Sequence, residues 1–383
     1  MTTPPTRDQS ASALRLYNTV LTRLPRNRSR IVFESMSGTQ YSDSPRAIYE
    51  ELVRSGLDAE PVWSVAPGAR GFSPAIPTVE RWSPDWYRAL ATATMWIDNQ
   101  GLPDLLRKPD RVTYLQTWHG TPLKLMGWNN PAVASARPAR QERVRKRVDR
   151  WDLITSPSPY FTETIVDAFR SRATVLDFGL PRNDRLVRPQ TPIERRAAKR
   201  ALGLEPDLRT VLVALTSKGS DFAQHLSADG LAAITHGSAG TQLLYRAHYA
   251  DPRPEFINGH DGVVDITDAP DIADYLAVAD VLVTDYSSVM FDFSITNRPI
   301  VLYQPDQHDF ATKRGWYFDV TLDSPGPIAA TERALIHLLA TVDAWSPSWL
   351  AQRASYRARF ATYEHGDAAE RVVREVIAPL LQR

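Results

Sequence analysis

The chain has 383 residues, 43% hydrophobic and 23% charged, with no cysteine and a formal net charge of +1. That length exceeds one ordinary core and predicts two domains, while the composition excludes a disordered or fibrous chain and the cysteine count excludes disulfides, thiolate metal sites and a cysteine nucleophile. The near-zero charge gives no global field for nucleic acid, and with no apolar run near the roughly 18 to 20 residues of a membrane span and no secretory stretch in MTTPPTRDQS, a cytoplasmic protein is expected.

Residues 1–30 carry six arginines and one aspartate. Within them Leu14, Tyr17, Leu21 and Leu24 recur at helical spacing, which predicts an amphipathic helix that either packs on its own domain or lies on an anionic membrane surface. The runs IVFES (31–35), VWSV (62–65), MWIDN (95–99), VTYLQTW (112–118) and DLITS (152–156) alternate with helix-like stretches and predict a parallel sheet. Residues 137–150 hold seven basic and two acidic side chains. Arg140, Arg143, Arg145 and Arg147 there form either a solvated face or a patch for anionic headgroups.

A second strand series follows: TVLVALT (210–216), QLLYRAH (242–248), VVDIT (263–267), VLVTD (281–285) and PIVLY (299–303). The stretch from Asn183 to Leu202, with Pro189 and Pro192, is the expected junction. The organisation read from the chain is a basic segment over 1–30, an N-terminal domain over 31–190, and a C-terminal domain over 191–383. A closing helix carries Ala369, Val372, Val373 and Ile377 on one face.

Thr117 to Lys124 reads as a strand end, a turn at Gly120 and a helix opened by Thr121 and Pro122, which places His119 beside a helix N-terminus at a carboxyl sheet edge. Ligands collect there, and such a helix end favours anions, so Gly120 and Thr121 are candidates for holding a phosphate donor. Asp285, Tyr286, Ser287 and Ser288 repeat the pattern. The two serines either cap a helix or take phosphate oxygens, and Asp292, one turn on, is in reach of a ribose hydroxyl. In YRAH, Arg246 and His248 point to opposite faces. Arg314 supplies a planar fork for phosphate, or packs on Trp316. No HExxH, P-loop, GxSxG or GxGxxG motif is present, and neither a metal nor a cofactor is expected.

FESMSGTQYSDSPRAIYEEL (33–52), TWHGTPLKLMG (117–127), GLPRND (179–184), YRAH (245–248), TDYSSVMFDFSITNRPIVLY (284–303) and RGWYFD (314–319) occur in this order. Together they resemble the CDP-glycerol glycerophosphotransferase family, the teichoic acid primases and polymerases of Gram-positive cell walls. The resemblance implies an α/β, GT-B-like fold with two Rossmann-like doubly wound domains facing a central cleft. It also implies CDP-glycerol as donor, a lipid-linked glycan acceptor, and a peripheral place on the inner face of the cell membrane. The family's two functional histidines fall on His119 and His248.

On this reading His119 is the general base for an acceptor hydroxyl, and His248, Ser287, Ser288 and Arg314 stabilise the pyrophosphate. The Tyr41-Ser42-Asp43 loop is where the acceptor is sought, at Tyr41 and Asp43. One departure stands out: Ala214-Leu215-Thr216-Ser217-Lys218 replaces the family's Ala-Pro-Thr-aromatic-Arg, which loses a bidentate fork. The alternatives are a sugar-nucleotide or CDP-ribitol-dependent transferase and, in another class, a non-catalytic nucleotide-binding protein that recruits partners to the membrane.

Overall fold

A computed structural model describes residues 7–216, 226–237, 240–247, 261–307 and 315–382. It divides into two compact units. The first comprises 1–119, 126–184 and 363–383, and the second comprises 120–125 and 185–362.

The first unit is built on strands β1 (Arg30–Glu34), β2 (Glu60–Val65), β3 (Thr78–Glu80), β4 (Met95–Asp98), β5 (Thr113–Gln116), β6 (Leu153–Thr155) and β7 (Thr174–Leu176). They pair in the order β3-β2-β1-β4-β5-β6-β7, all parallel. Side-chain alternation buries both faces, as a parallel sheet requires. Ile31, Phe33, Met95 and Ile97 join one apolar cluster, and Val32, Trp96, Tyr114 and Ile154 join the other.

The second unit holds β8 (Arg209–Ala214), β9 (Thr241–Arg246), β10 (Val263–Asp265), β11 (Val281–Thr284), β12 (Ile300–Tyr303) and β13 (Ile328–Ala329) in the order β10-β9-β8-β11-β12-β13, again all parallel. Both sheets therefore follow the doubly wound order in which the chain runs outward one way, returns to the middle and runs out the other way. The reversal points lie between β1 and β4 and between β8 and β11, where such sheets bind ligands beyond their strand carboxyl ends.

Two boundaries differ from the sequence reading. The closing helix, which runs over 368–381 with a π turn at Val372–Ile377, belongs to the first unit and not to the domain that precedes it. Its apolar face, Ala368, Val372, Val373 and Ile377, is buried with Ile31, Phe33, Ile48 and Leu52. A chain that crosses back to cover the first sheet leaves no mark in local composition. Residues 7–30 are likewise part of the first unit. In the Arg7–Thr19 helix Tyr17 is fully buried, with Leu14 and Leu21 packed on the same cluster. The Tyr17 hydroxyl donates to the Arg107 carbonyl at 3.1 Å. That apolar face is consumed by packing, while Leu16 and Val20 remain half exposed.

Candidate active site

At the first reversal point the carboxyl ends of β1, β4 and β5 present Glu34, Asp98 and Gln116, all buried. Thr117 N donates to the Asp98 carbonyl at 2.8 Å. Trp118 then takes a left-handed backbone, φ +57°, held by its N–H donating to Gln116 Oε1 at 2.8 Å. Gln116 Nε2 in turn donates to Asp98 Oδ1 at 2.8 Å. A bulky residue in that region costs roughly 1–3 kcal/mol, so a buried chain of hydrogen bonds is what maintains it.

The consequence is the placement of His119. Its Nδ1 lies 2.7 Å from the Asn99 carbonyl oxygen. A carbonyl only accepts, so Nδ1 carries the proton and Nε2 keeps its lone pair. The Trp118 ring stacks on the imidazole at 4.6 Å and 25° and is itself wedged against Trp151 and Phe169. Burial pushes the His119 pKa below its usual value. The Asn99 carbonyl and Asp43 pull upward, and Arg182 adds to the depression. The ring is thus neutral at pH 7 in the tautomer a base requires.

The loop after β1 carries three more left-handed residues, Met36, Ser37 and Asp43. Asn99 ties it down: its side chain accepts from Met36 N at 2.9 Å and donates to Ser35 Oγ at 3.3 Å. Asp43 opens the Asp43–Ser55 helix and forms a buried ion pair with Arg182 at 3.1 Å. Tyr41 lies in an aromatic cluster with Tyr49, Trp63 and Phe72 and is 9% exposed. Beneath this layer Glu34 and Asp98 face each other in register on neighbouring strands. Burial, and then the Glu34 charge, raises the Asp98 pKa to about 7, against hydrogen bonds from Tyr114 and Gly101. Burial likewise raises Glu34.

At the second reversal point Asp285 Oδ1 accepts from Thr216 N at 2.8 Å and Tyr286 N at 2.6 Å, and Thr284 Oγ1 donates to the Ala214 carbonyl at 2.6 Å. The predicted helix forms over Val289–Ser294. Ser288 caps it without a side-chain hydrogen bond, and Ser287 Oγ accepts from Val289 N only at 3.5 Å. Capping thus leaves both half-buried hydroxyls largely unspent. Asp292 is buried within the helix.

The helix expected to open at Thr121 and Pro122 does not form. Residues 123–125 instead pair antiparallel with 315–317: Tyr317 N donates to the Leu123 carbonyl at 2.8 Å and Leu125 N to the Gly315 carbonyl at 3.3 Å. This partner takes up the Leu123 carbonyl and the Leu125 N–H, and Gly120 (φ +140°) makes the turn before it. Lys124 Nζ reaches Thr216 Oγ1 at 3.5 Å. Arg246 ends β9 half-buried, and its charge is felt by Tyr275. His248, Arg314, Ser217 and Lys218 lie outside the described residues.

On the Pro138–Val148 helix the basic run is divided. Arg145 pairs with Glu142 (2.7 Å) and Asp149 (2.9 Å), and Arg147 pairs with Asp104 (2.6 Å). Arg150 is buried, donating to the carbonyls of Leu102, Pro103 and Leu106. Arg137, Arg140 and Arg143 are exposed with no carboxylate partner among the described residues.

Sequence reasoning did not single out Asp98, Asn99, Gln116 or Arg182. The available signal was a polar residue at the end of an apolar strand run, as in MWIDN and YLQ. Among the described residues no group of three or more His, Asp or Glu side chains could hold a metal ion, and no helix is long and apolar enough to cross a membrane.

Residues 16–378 match the family model described as CDP-Glycerol:Poly(glycerophosphate) glycerophosphotransferase. The teichoic acid glycerol-phosphate transferase of Staphylococcus aureus (strain NCTC 8325 / PS 47) is 34% identical over 378 residues, covering 94% of this chain and 96% of that protein. The teichoic acid poly(glycerol phosphate) polymerase of Bacillus spizizenii (strain ATCC 23059 / NRRL B-14472 / W23) is 31% identical over 382 residues, covering 95% and 96%. Among solved structures, the wall teichoic acid polymerase TagF superposes with a TM-score of 0.88 at 28% identity, over 98% of this chain and 95% of that one.

Proposed function

The chain belongs to the CDP-glycerol:poly(glycerophosphate) glycerophosphotransferase family, and from that premise we propose that it transfers glycerol phosphate from CDP-glycerol to a hydroxyl of a lipid-linked, teichoic-acid-type acceptor, with His119 as general base. The acceptor O–H gives its proton to His119 Nε2 as its oxygen attacks the glycerol-bearing phosphorus. The bond from that phosphorus to the bridging oxygen breaks, and CMP departs with the bridging oxygen. An alcohol is a poor nucleophile at neutral pH, so a base that is neutral and correctly protonated contributes roughly 10²- to 10⁴-fold. The observation that carries the reading is the 2.7 Å bond from Nδ1 to the Asn99 carbonyl, which leaves Nε2 as the basic nitrogen.

The second unit is assigned the donor. Ser287 and Ser288 offer hydroxyls that capping does not consume, and His248 by family resemblance and Arg314 by its planar fork are assigned charge stabilisation of the pyrophosphate. Asp43 and Tyr41 remain the proposed acceptor-side residues. For Asp43 the support is its coupling to His119, whose pKa it raises, and for Tyr41 its place in the same loop. Contact with the membrane is proposed to be peripheral and electrostatic, through Arg140 and Arg143.

The test is incubation with CDP-glycerol, CDP-ribitol and UDP-sugars in turn, with a lipid-linked acceptor, and mass spectrometry of the released nucleotide. CMP from CDP-glycerol is the expected product. Turnover with UDP release from a UDP-sugar, and none with CDP-glycerol, would reject the reading.

A further inference from the structure

The second unit contains a cavity of about 340 Å³ that the reaction above does not use. It is lined by Arg185, Arg188, Gln190, Arg195, Arg298 and Arg357, with Ile295 and Thr296 completing the wall. Arg195 donates to the carbonyls of Val278 (3.1 Å) and Ala279 (2.9 Å), and Arg298 to those of Ala277 (3.0 Å) and Ala279. Those carbonyls precede β11, and Arg298 itself lies two residues before β12. The cavity therefore sits at the amino edge of the sheet, while Ser287 and Ser288 follow the carboxyl end of β11. A four-residue strand separates the two edges by about 13 Å.

Charge does not balance in this cavity. Five guanidiniums line it, and three carboxylates pair with them: Asp274 with Arg185, Glu194 with Arg188, and Asp280 with Arg195. Asp280 is shared with Lys199 at 3.0 Å, so it serves two cations. Among the described residues the guanidinium of Arg298 hydrogen-bonds to carbonyls and lies over the Phe293 ring, with no carboxylate paired to it, and that of Arg357 has no partner. Burial, and next the positive charge of Arg195, push the Arg298 pKa down to about 10 even with Asp280 nearby. The Arg195 Nε–H is buried and meets no acceptor. A buried donor without an acceptor costs roughly 1–3 kcal/mol, and clustered like charges add to that.

We infer that this cavity is a binding site for a phosphate oxyanion, distinct from the reacting pyrophosphate and held by the guanidiniums of Arg188 and Arg357, with Arg298 adding its charge. Guanidinium planes match phosphate oxygens bidentately, and the volume admits more than a single phosphate. Two sources share this chemistry. One is a small free anion such as phosphate or pyrophosphate, and the other is a phosphodiester segment of a glycerol-phosphate chain. The inference rests on the second unit's own geometry and stands apart from the reaction proposed above.

The experiment is isothermal titration of the full chain at fixed ionic strength with pyrophosphate, and separately with a glycerol-phosphate trimer. It is repeated on Arg188→Ala/Arg357→Ala and on Ser287→Ala/Ser288→Ala. Arg188 is 77% exposed and Arg357 has no partner to orphan, so the arginine pair is removed without unfolding the unit, which circular dichroism checks. Saturable binding of at least one probe is expected. It should weaken tenfold or more in the arginine variant and persist in the serine variant. Preference for pyrophosphate identifies a site for a small anion, and preference for the trimer identifies one for the phosphodiester chain. No saturable binding of either probe, unchanged affinity in the arginine variant, or loss only in the serine variant would overturn the inference.

Discussion

The two units share one strand order and hence one ligand-binding crevice each, yet their reversal points are built from different chemistry. In the first, four non-glycine residues near the strand ends sit in left-handed conformations (Met36, Ser37, Asp43 and Trp118) above two buried carboxyls, Glu34 and Asp98. In the second, Thr284, Thr216 and Asp285 close the crevice with short hydrogen bonds, and the one described left-handed non-glycine residue, Asn297, lies at the amino edge before β12. Buried carboxyls occur in both, since Asp285 and Asp292 are buried in the second, so the difference is backbone strain, a cost that a fold retains where a side chain must be held in one orientation. A pyrophosphate cradle needs only donors in range. The comparison teaches that fold repetition fixes where ligands go, while backbone strain gathers at the first reversal point, the one beside the proposed base His119.

The largest effect should come from the strained crevice. His119→Ala is expected to lower turnover roughly 10²- to 10⁴-fold with the fold intact, measured by CMP release and circular dichroism. Activity within a few-fold of wild type would break the comparison at its centre. In the second crevice, Ser287→Ala and Ser288→Ala are each expected to raise the KM for CDP-glycerol roughly tenfold, the scale of a lost hydrogen bond to a charged group, with little change in kcat. A fall in kcat equal to that of the His119 variant would mean that the two crevices are not divided as stated.

The acidity of the first crevice gives a smaller, signed effect. Because His119 is held below its usual pKa, the acid limb of kcat/KM should fall below pH 6.5, the ordinary histidine value. Asp98 acts in the opposite sense on stability. Its folded pKa, about 7, lies above the unfolded value, so its contribution is complete below about pH 4 and is lost as pH rises toward 7. Asp98→Asn removes that titration, and the fall in thermal midpoint between pH 5 and 7 should flatten relative to wild type. The same variant should change turnover only a few-fold, because Gln116 and Asn99 still hold Trp118 and His119. An unchanged slope would show that Asp98 ionises normally inside the sheet.

The sequence disclosed the parts of this fold that are buried on both faces. All ten strand runs, from IVFES to PIVLY, form strands, nine of them central and one, VVDIT, the edge strand β10, whereas β3, β7 and β13 carry no such run. These three are sheet edges of two or three residues, with every side chain but that of Ala329 exposed or half-buried, so no apolar run announces them. His119 was legible as a strand-end residue, but its environment was misread, since Thr121 and Pro122 have helix-opening chemistry that the pairing with 315–317 overrides. Asn99 and Gln116 were opaque for another reason. Their roles arise from neighbours distant in sequence, such as Met36 bonded to Asn99 across 63 positions, and single-chain periodicity carries no trace of that.

The prediction with the least effect on chemistry concerns the surface of the first unit. Each Lys or Arg near an anionic bilayer contributes on the order of 1 kcal/mol, but only if its charge is not already neutralised. On the Pro138–Val148 helix, Arg145 and Arg147 are held by carboxylates, while Arg140 and Arg143 are exposed without one. Arg140→Glu/Arg143→Glu should therefore weaken sedimentation with anionic vesicles about tenfold or more. Arg145→Glu/Arg147→Glu should do less per charge, because each substitution also frees a carboxylate from its pair. Wild-type binding should be absent on neutral vesicles and weaken between about 0.1 and 1 M salt as the Debye length falls from roughly 10 to 3 Å. On a short soluble acceptor analogue Arg140→Glu/Arg143→Glu should turn over as wild type does, since both side chains are exposed on the helix surface. If Arg140→Glu/Arg143→Glu sediments as wild type does, the helix is a solvated face. If that variant instead loses activity on the soluble analogue, the basic helix acts in the chemistry, and the first unit's two roles cannot be separated.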